Sequence, residues 1–192
     1  MRGIGERQNC AITASMNPAT RPRCSVFIAA SLDGYIARAD GAIDWLSVVE
    51  RAGEDYGYRA FFDSVDALVM GRKTYDTVLG FDDWPYESKR CVVVTHAPPA
   101  SKRRDEEFTA EAPASLLARM AGEGVRSVYV DGGTVIRQFL AAGVIDELTL
   151  SVIPILLGTG IRLFDGGGTE RKLRLVESRA FESGLARLKY AL

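Results

Sequence analysis

Histidine is almost missing from this 192-residue chain; His96 is the only one. A metal centre built on several histidines is therefore excluded, and a Ser-His-Asp triad has a single position to run through. Cysteine is scarce as well. Cys10, Cys24 and Cys91 form an odd set with no CxxC spacing, which fits neither a disulfide framework nor a zinc site and suits a reducing, cytoplasmic setting. No apolar run approaches the ~18 residues of a membrane helix, and residues 1–22 lack the apolar core of a secretory signal. No GxGxxG or GxxxxGK[ST] string occurs, which removes the Rossmann fingerprint and the Walker A loop. Positive excess is absent too. The net charge is −1, and the one basic run, Lys102-Arg103-Arg104, is cancelled by Asp105-Glu106-Glu107, so neither nucleic acid nor a membrane is an expected partner.

What is present is an ordinary globular composition, 47% hydrophobic and 26% charged, long enough for one domain with its own core. Residues 1–22, with Gly, Pro, Asn and Thr and no periodicity, read as a flexible tail in which Met16 is an alternative start. Residues 23–192 read as one α/β domain. Cys24 to Ala30, Ala67 to Met70, Arg90 to Thr95, Ser127 to Val130 and Glu147 to Pro154 are short apolar runs rich in β-branched residues, the pattern of buried strands. Helical spacing fills the gaps: a helix capped by Ser47 and running to about Ser64, a short one capped by Thr74, one over Pro113 to Ala121 with Leu116, Leu117 and Met120 inward, and one from Val135 to Ala142. Pro98 to Glu107 is polar and expected to be exposed. Lys172 to Glu177 and Leu185 to Tyr190 flank Ser183-Gly184, a hairpin signal. Alternation first and strands last predict a mostly parallel sheet, helices on its faces and an antiparallel C-terminal edge.

Four segments carry possible chemistry. Gly71-Arg72-Lys73-Thr74 opens a helix at a strand end, where free N–H groups, the dipole and two cations attract phosphate; the alternative is a solvated basic turn. Asp131-Gly132-Gly133-Thr134 is either a place for backbone to approach a ligand or a tight strand-to-helix turn. Both leave strands toward helices, and in open α/β sheets ligands gather at that edge. Asp33, in the loop Ser31 to Ala37, is either a substrate contact or a turn residue with Gly34. Pro154 to Gly160, with Leu157, Gly158 and Gly160, either walls a pocket or bends a strand. Gly166-Gly167-Gly168 reads as a turn.

In order along the chain, these pieces resemble the dihydrofolate reductase-like superfamily. Ala29-Ala30-Ser31-Leu32-Asp33-Gly34-Tyr35-Ile36-Ala37 resembles the first strand and loop of the riboflavin-biosynthesis reductase, the RibD C-terminal domain. Val69 to Tyr75 is similar to the cofactor segment of dihydrofolate reductases, and Tyr129 to Gly133 with Phe139-Leu140 to the double-glycine segment of both. Asp146 to Pro154 with Gly158, Gly160, Leu163 and Phe164 resembles the riboflavin-type reductase. The resemblance implies a three-layer α/β/α fold, a homodimer, and NADPH-dependent hydride transfer to a small heterocycle, pterin-like or pyrimidine-like. The activity would resemble that of 5-amino-6-(5-phosphoribosylamino)uracil reductase or dihydrofolate reductase. Carried over, Gly71, Arg72, Lys73 and Thr74 would hold phosphates, Gly132, Gly133 and Thr134 the pyrophosphate, and Thr95 would lie near the adenosine phosphate. Ala30 and Ile36 would border the nicotinamide. Asp33 and Glu50 are the candidate catalytic acids, Glu50 also reading as a solvent-facing helix residue; Trp45, Leu157 and Gly158 join Asp33 as candidate substrate contacts. The riboflavin enzyme also carries a zinc deaminase domain, for which this chain has neither the length nor the His/Cys set. A second reading is a non-catalytic nucleotide-binding protein that keeps the NADPH pocket.

Overall fold

The computed structural model describes residues 21–86, 89–100, 106–166, 168 and 170–192. The 1–20 part of the expected tail, with Cys10 and Met16, the basic run 102–104, and Gly167 of the glycine turn lie outside the described residues.

Six strands run parallel. They are β1 (Arg23–Ser31), β3 (Ala67–Gly71), β4 (Arg90–Val94), β5 (Glu107–Thr109), β6 (Ser127–Asp131) and β7 (Glu147–Ile153). Two more, β9 (Arg174–Ala180) and β10 (Ala186–Ala191), add an antiparallel hairpin, giving the order β5-β4-β3-β6-β1-β7-β10-β9. Short strands β2 (Tyr35–Ala37) and β8 (Ile161–Arg162) pair antiparallel beside the main sheet. Helices α1 (Tyr58–Asp63), α2 (Arg72–Leu79), α3 (Pro113–Gly122) and α4 (Gly133–Ala141) make the crossovers.

Alternation along each strand divides the core between two faces. Ala67 and Val69 of β3 pack with Leu116, Leu117 and Met120 of α3 and Ile136 and Phe139 of α4. Leu68 and Met70 face the other way, onto Phe62 of α1 and Tyr75 and Val78 of α2. The central strands are covered on both sides, which is why they read as continuous apolar runs. The expected α/β/α layering, parallel sheet and antiparallel edge are all present.

Four local expectations are corrected. The region 47–64 is not one helix. It is a 3-10 helix, Asp44–Val49, followed by an irregular turn and then α1. Ser47 lies inside that 3-10 helix and donates to the Asp44 carbonyl at 2.7 Å. Gly53, Tyr56 and Gly57 adopt positive φ, and Asp55 accepts N–H bonds from Gly57 and Arg59, so a side-chain-backed turn outcompetes helix. Thr74 does not cap; Gly71 is the N-cap residue, and Thr74 sits in the first turn. Residues 98–107 are not uniformly exposed, since Glu106 is buried and Glu107 starts the edge strand β5. Arg21, expected within the tail, is anchored to the domain. Arg21 makes a bidentate pair with Asp146 at 2.7 and 2.8 Å, and the same carboxylate accepts the Cys24 N–H at 2.8 Å.

Candidate active site

The parallel strands all end at one edge, and two helices start there side by side. Met70 pairs with Asp131 at the ends of β3 and β6, so α2 and α4 begin next to each other. Neither helix has a side-chain cap bond, with Gly71 and Gly132 as their N-cap residues. Their first N–H groups and dipoles therefore present an uncapped positive edge. Gly132 has φ +86°, and a Cβ on it would stand 2.3 Å from Thr74 Oγ1; one on Gly133 would stand 2.7 Å from Ile36 Cδ1. Gly132 is held to glycine by its φ and by Thr74, whereas a side chain at Gly133 would require the end of Ile36 to move aside. The structure thus brings together Gly71, Thr74, Gly132, Gly133 and Ile36 from three separate sequence segments. Ala30 is buried on β1.

The cationic residues are arranged around this cleft. Arg72 pairs with Asp76 at 2.7 Å and donates to the Ala97 carbonyl at 2.8 Å. That links α2 to the segment after β4, where the Thr95 N–H donates to Thr109 and Thr95 Oγ1 accepts from Ala97. Lys73 is exposed, with no ion-pair partner among the described residues. Thr134 is exposed on the first turn of α4.

Asp33 serves as a latch between loops. Its carboxylate accepts from Ser31 Oγ at 2.6 Å, from the Leu157 N–H at 3.1 Å and from the Gly158 N–H at 2.7 Å. Ser31 Oγ in turn accepts the Tyr35 N–H. The Tyr35 hydroxyl donates to the Gly158 carbonyl at 3.1 Å and accepts from Arg162, whose guanidinium lies over the Tyr35 ring. The Ser31 hydrogen bond, supported by the two loop N–H groups, holds the Asp33 carboxyl at about 2. Leu157 and Gly158, expected as substrate contacts, meet Asp33 through their backbone.

Beside the latch, on the α1/α2 face, lies a cavity of about 580 Å³ between β1, β7 and the 3-10 helix. Phe27, Ala29 and Ile153 form apolar wall; Glu50 stands among the lining carboxylates with Asp44, Glu54 and Asp55. Asp33 and Glu50 are therefore not a paired dyad, because Asp33 does not line this cavity. Trp45 is 2% exposed and packs with Val49, Ile153 and Leu185; it supports the wall from within. Ser151, 3% exposed, lines the cavity with a hydroxyl that has no hydrogen-bond partner among the described residues.

At the end of β6, Asp131 accepts the Gly132 N–H at 2.7 Å, and burial pushes its carboxyl up to about 6. Its charge also raises the Tyr58 phenol, which burial has already pushed up. Tyr58 lines the cavity, while Asp131 sits at the turn into Gly132 beside the glycine cleft.

Residues 22–186 match the RibD C-terminal domain family. The chain belongs to that family. The uncharacterized protein YwjB of Bacillus subtilis (strain 168) is 38% identical over 158 residues, 81% of this chain and 90% of the relative. Among solved structures, a Shewanella sp. PV-4 protein named only provisionally for riboflavin biosynthesis is 36% identical, with TM-score 0.82 over 88% of this chain and 98% of that one. The Thermotoga maritima diaminohydroxyphosphoribosylaminopyrimidine deaminase/5-amino-6-(5-phosphoribosylamino)uracil reductase shares the fold at 19% identity and TM-score 0.71, over 90% of this chain and 57% of that longer one.

Two features of this RibD C-terminal domain escaped sequence reasoning. Asp131 was legible as part of a glycine turn, but its burial beside Tyr58 depends on packing from α1. Ser151 sits mid-strand in Leu148-Thr149-Leu150-Ser151-Val152; its alternation with buried Leu148 was the only available signal, and that marks a face, not a cavity.

Proposed function

We propose that the chain is an NADPH-dependent oxidoreductase that transfers a hydride to a small heterocycle. The observation that carries this reading is the pair of uncapped helix N-termini, meeting beside Gly132, where a Cβ would collide with Thr74, next to an apolar-walled cavity on the adjoining strands. Such an edge suits an anionic dinucleotide. Gly71, Thr74, Gly132, Gly133 and Thr134 would hold its pyrophosphate, and Arg72, Lys73 and Thr95 its adenosine end, with Ala30 and Ile36 toward the nicotinamide. NADPH, when bound, supplies the hydride. The chain's own residues position the acceptor: Phe27 and Ala29 support its ring, and the free carboxylate of Glu50 accepts its N–H groups and relays the proton that balances the hydride. Asp33 is a positioning residue, acting through the 157–160 loop it fixes. The buried unpaired thiols Cys24 and Cys91 support a reducing, cytoplasmic setting. The free edge of β9 supports a homodimer.

The test is NADPH oxidation, followed at 340 nm, with dihydropterin and pyrimidine acceptors. Turnover with at least one acceptor that falls at least tenfold in Glu50→Gln is the expected result. NADPH binding without oxidation across the panel would favour a non-catalytic nucleotide-binding protein instead.

A further inference from the structure

Among the described residues, the cavity's lining contains four carboxylates, Asp44, Glu50, Glu54 and Asp55, and no lysine, arginine or histidine. Three of the four are engaged locally. Asp44 pairs with Arg38 at 2.6 Å, and Asp55 accepts two backbone N–H groups. Glu54 accepts the Tyr56 N–H at 2.9 Å. The Glu50 carboxylate has no partner among the described residues. The nearby arginines are turned to other work: Arg187 donates to the Tyr56 carbonyl and pairs with Glu177, and Arg51 donates to the Glu50 carbonyl. Arg38 and Arg187 thus offset Asp44 and Asp55, while Glu50 and Glu54 have no ion-pair partner among the described residues, and an anionic group entering this cavity meets their repulsion.

The second observation is independent of charge. Ser151 Oγ faces the same cavity, almost wholly buried and without a partner. Buried hydroxyls are nearly always hydrogen-bonded, so this one is placed to meet a polar atom of whatever fills the space. Apolar wall from Phe27, Ala29 and Ile153 suits a flat ring between the hydroxyl and the rim carboxylates.

We propose that this cavity selects a small heterocycle carrying ring or exocyclic N–H donors and no phosphate group. That class differs from the phosphoribosyl pyrimidine in the name of the Thermotoga maritima enzyme. The inference rests on the reductase reading only in taking the cavity as the substrate site.

Calorimetric titration of the full chain with 2,4-diaminopyrimidine and with uridine 5′-phosphate, each with and without saturating NADPH, tests it. 2,4-Diaminopyrimidine should bind saturably and at least tenfold more tightly than uridine 5′-phosphate at low salt. Glu50→Lys should narrow that ratio, and Ser151→Ala should weaken 2,4-diaminopyrimidine severalfold. A ratio below tenfold, or saturable binding by neither probe, would overturn the proposal. Failure of NADPH to bind while the probe preference persists would remove the reductase reading alone. NADPH binding together with a preference for the phosphate would remove the selectivity alone.

Discussion

Two aspartates at this edge titrate in opposite directions. Asp33 is held near 2 by its Ser31 and loop hydrogen bonds, below its ordinary value of about 4. The folded state therefore binds fewer protons than the unfolded one in this window, and the latch's stabilisation is present above about pH 4 and lost as pH falls through 2. Asp33→Asn should melt below wild type at pH 7, with the gap closing toward pH 2. Asp131 is raised to about 6 by burial, so its contribution is greatest below about pH 4 and is lost as pH rises through 6. Asp131→Asn should gain up to about 2 kcal/mol over wild type at pH 8 and little at pH 4, measured as urea unfolding across that range. At Gly132 the constraint is steric. Alanine there incurs about 1–3 kcal/mol of backbone strain and a clash with Thr74 Oγ1. Thr74→Ala should recover the clash but not the strain, giving partial rescue in a double-mutant cycle of unfolding free energies.

Elements were legible where periodicity was strong. Strands β1, β3, β4, β6 and β7 and helix α3 fell where apolar alternation and helical spacing placed them, within a residue or two, because burial leaves little choice of residue type. The 44–63 region was not legible, since Val48, Ala52, Phe61 and Phe62 fit helical spacing locally while Gly53, Gly57 and Asp55 commit the chain to a turn. Thr74 has the residue type of a cap, although Gly71 precedes the first turn in space. The short strand β5 had no apolar signal of its own. Arg119 of α3 binds Glu107 of that strand, Glu111 at 2.7 Å and Glu123 at 3.1 Å, and Arg90 joins Glu107 at 2.7 Å. Arg119→Met should cost about 1–2 kcal/mol and speed amide exchange in β5 more than in β3; equal exchange in both would show that β5 does not depend on the cluster.

At the scale of the whole molecule, the strand order places β1 between β6 and β7, so the chain crosses over at the edge where the glycine cleft and the cavity lie. That arrangement follows from the alternation of strands and helices; which side chains face the cavity does not, because it depends on turns that local patterning underdetermines. The opposite end of the sheet is open. All seven residues of β9 are exposed, with Leu175 at 51% and Val176 at 48%, an edge that soluble chains usually cover. We expect sedimentation at twice the 20.9 kDa chain mass and a shift toward monomer in Val176→Lys; a wild-type monomer at micromolar concentration would contradict the dimer.

The central claim is cofactor use, and calorimetric titration of NADPH against NADH tests it most directly, on wild type and on Arg72→Ala with Lys73→Ala. The account predicts saturable binding of NADPH at least tenfold tighter than NADH, with the double substitution erasing most of that preference. Absence of binding by either nucleotide to the folded wild-type chain would contradict it.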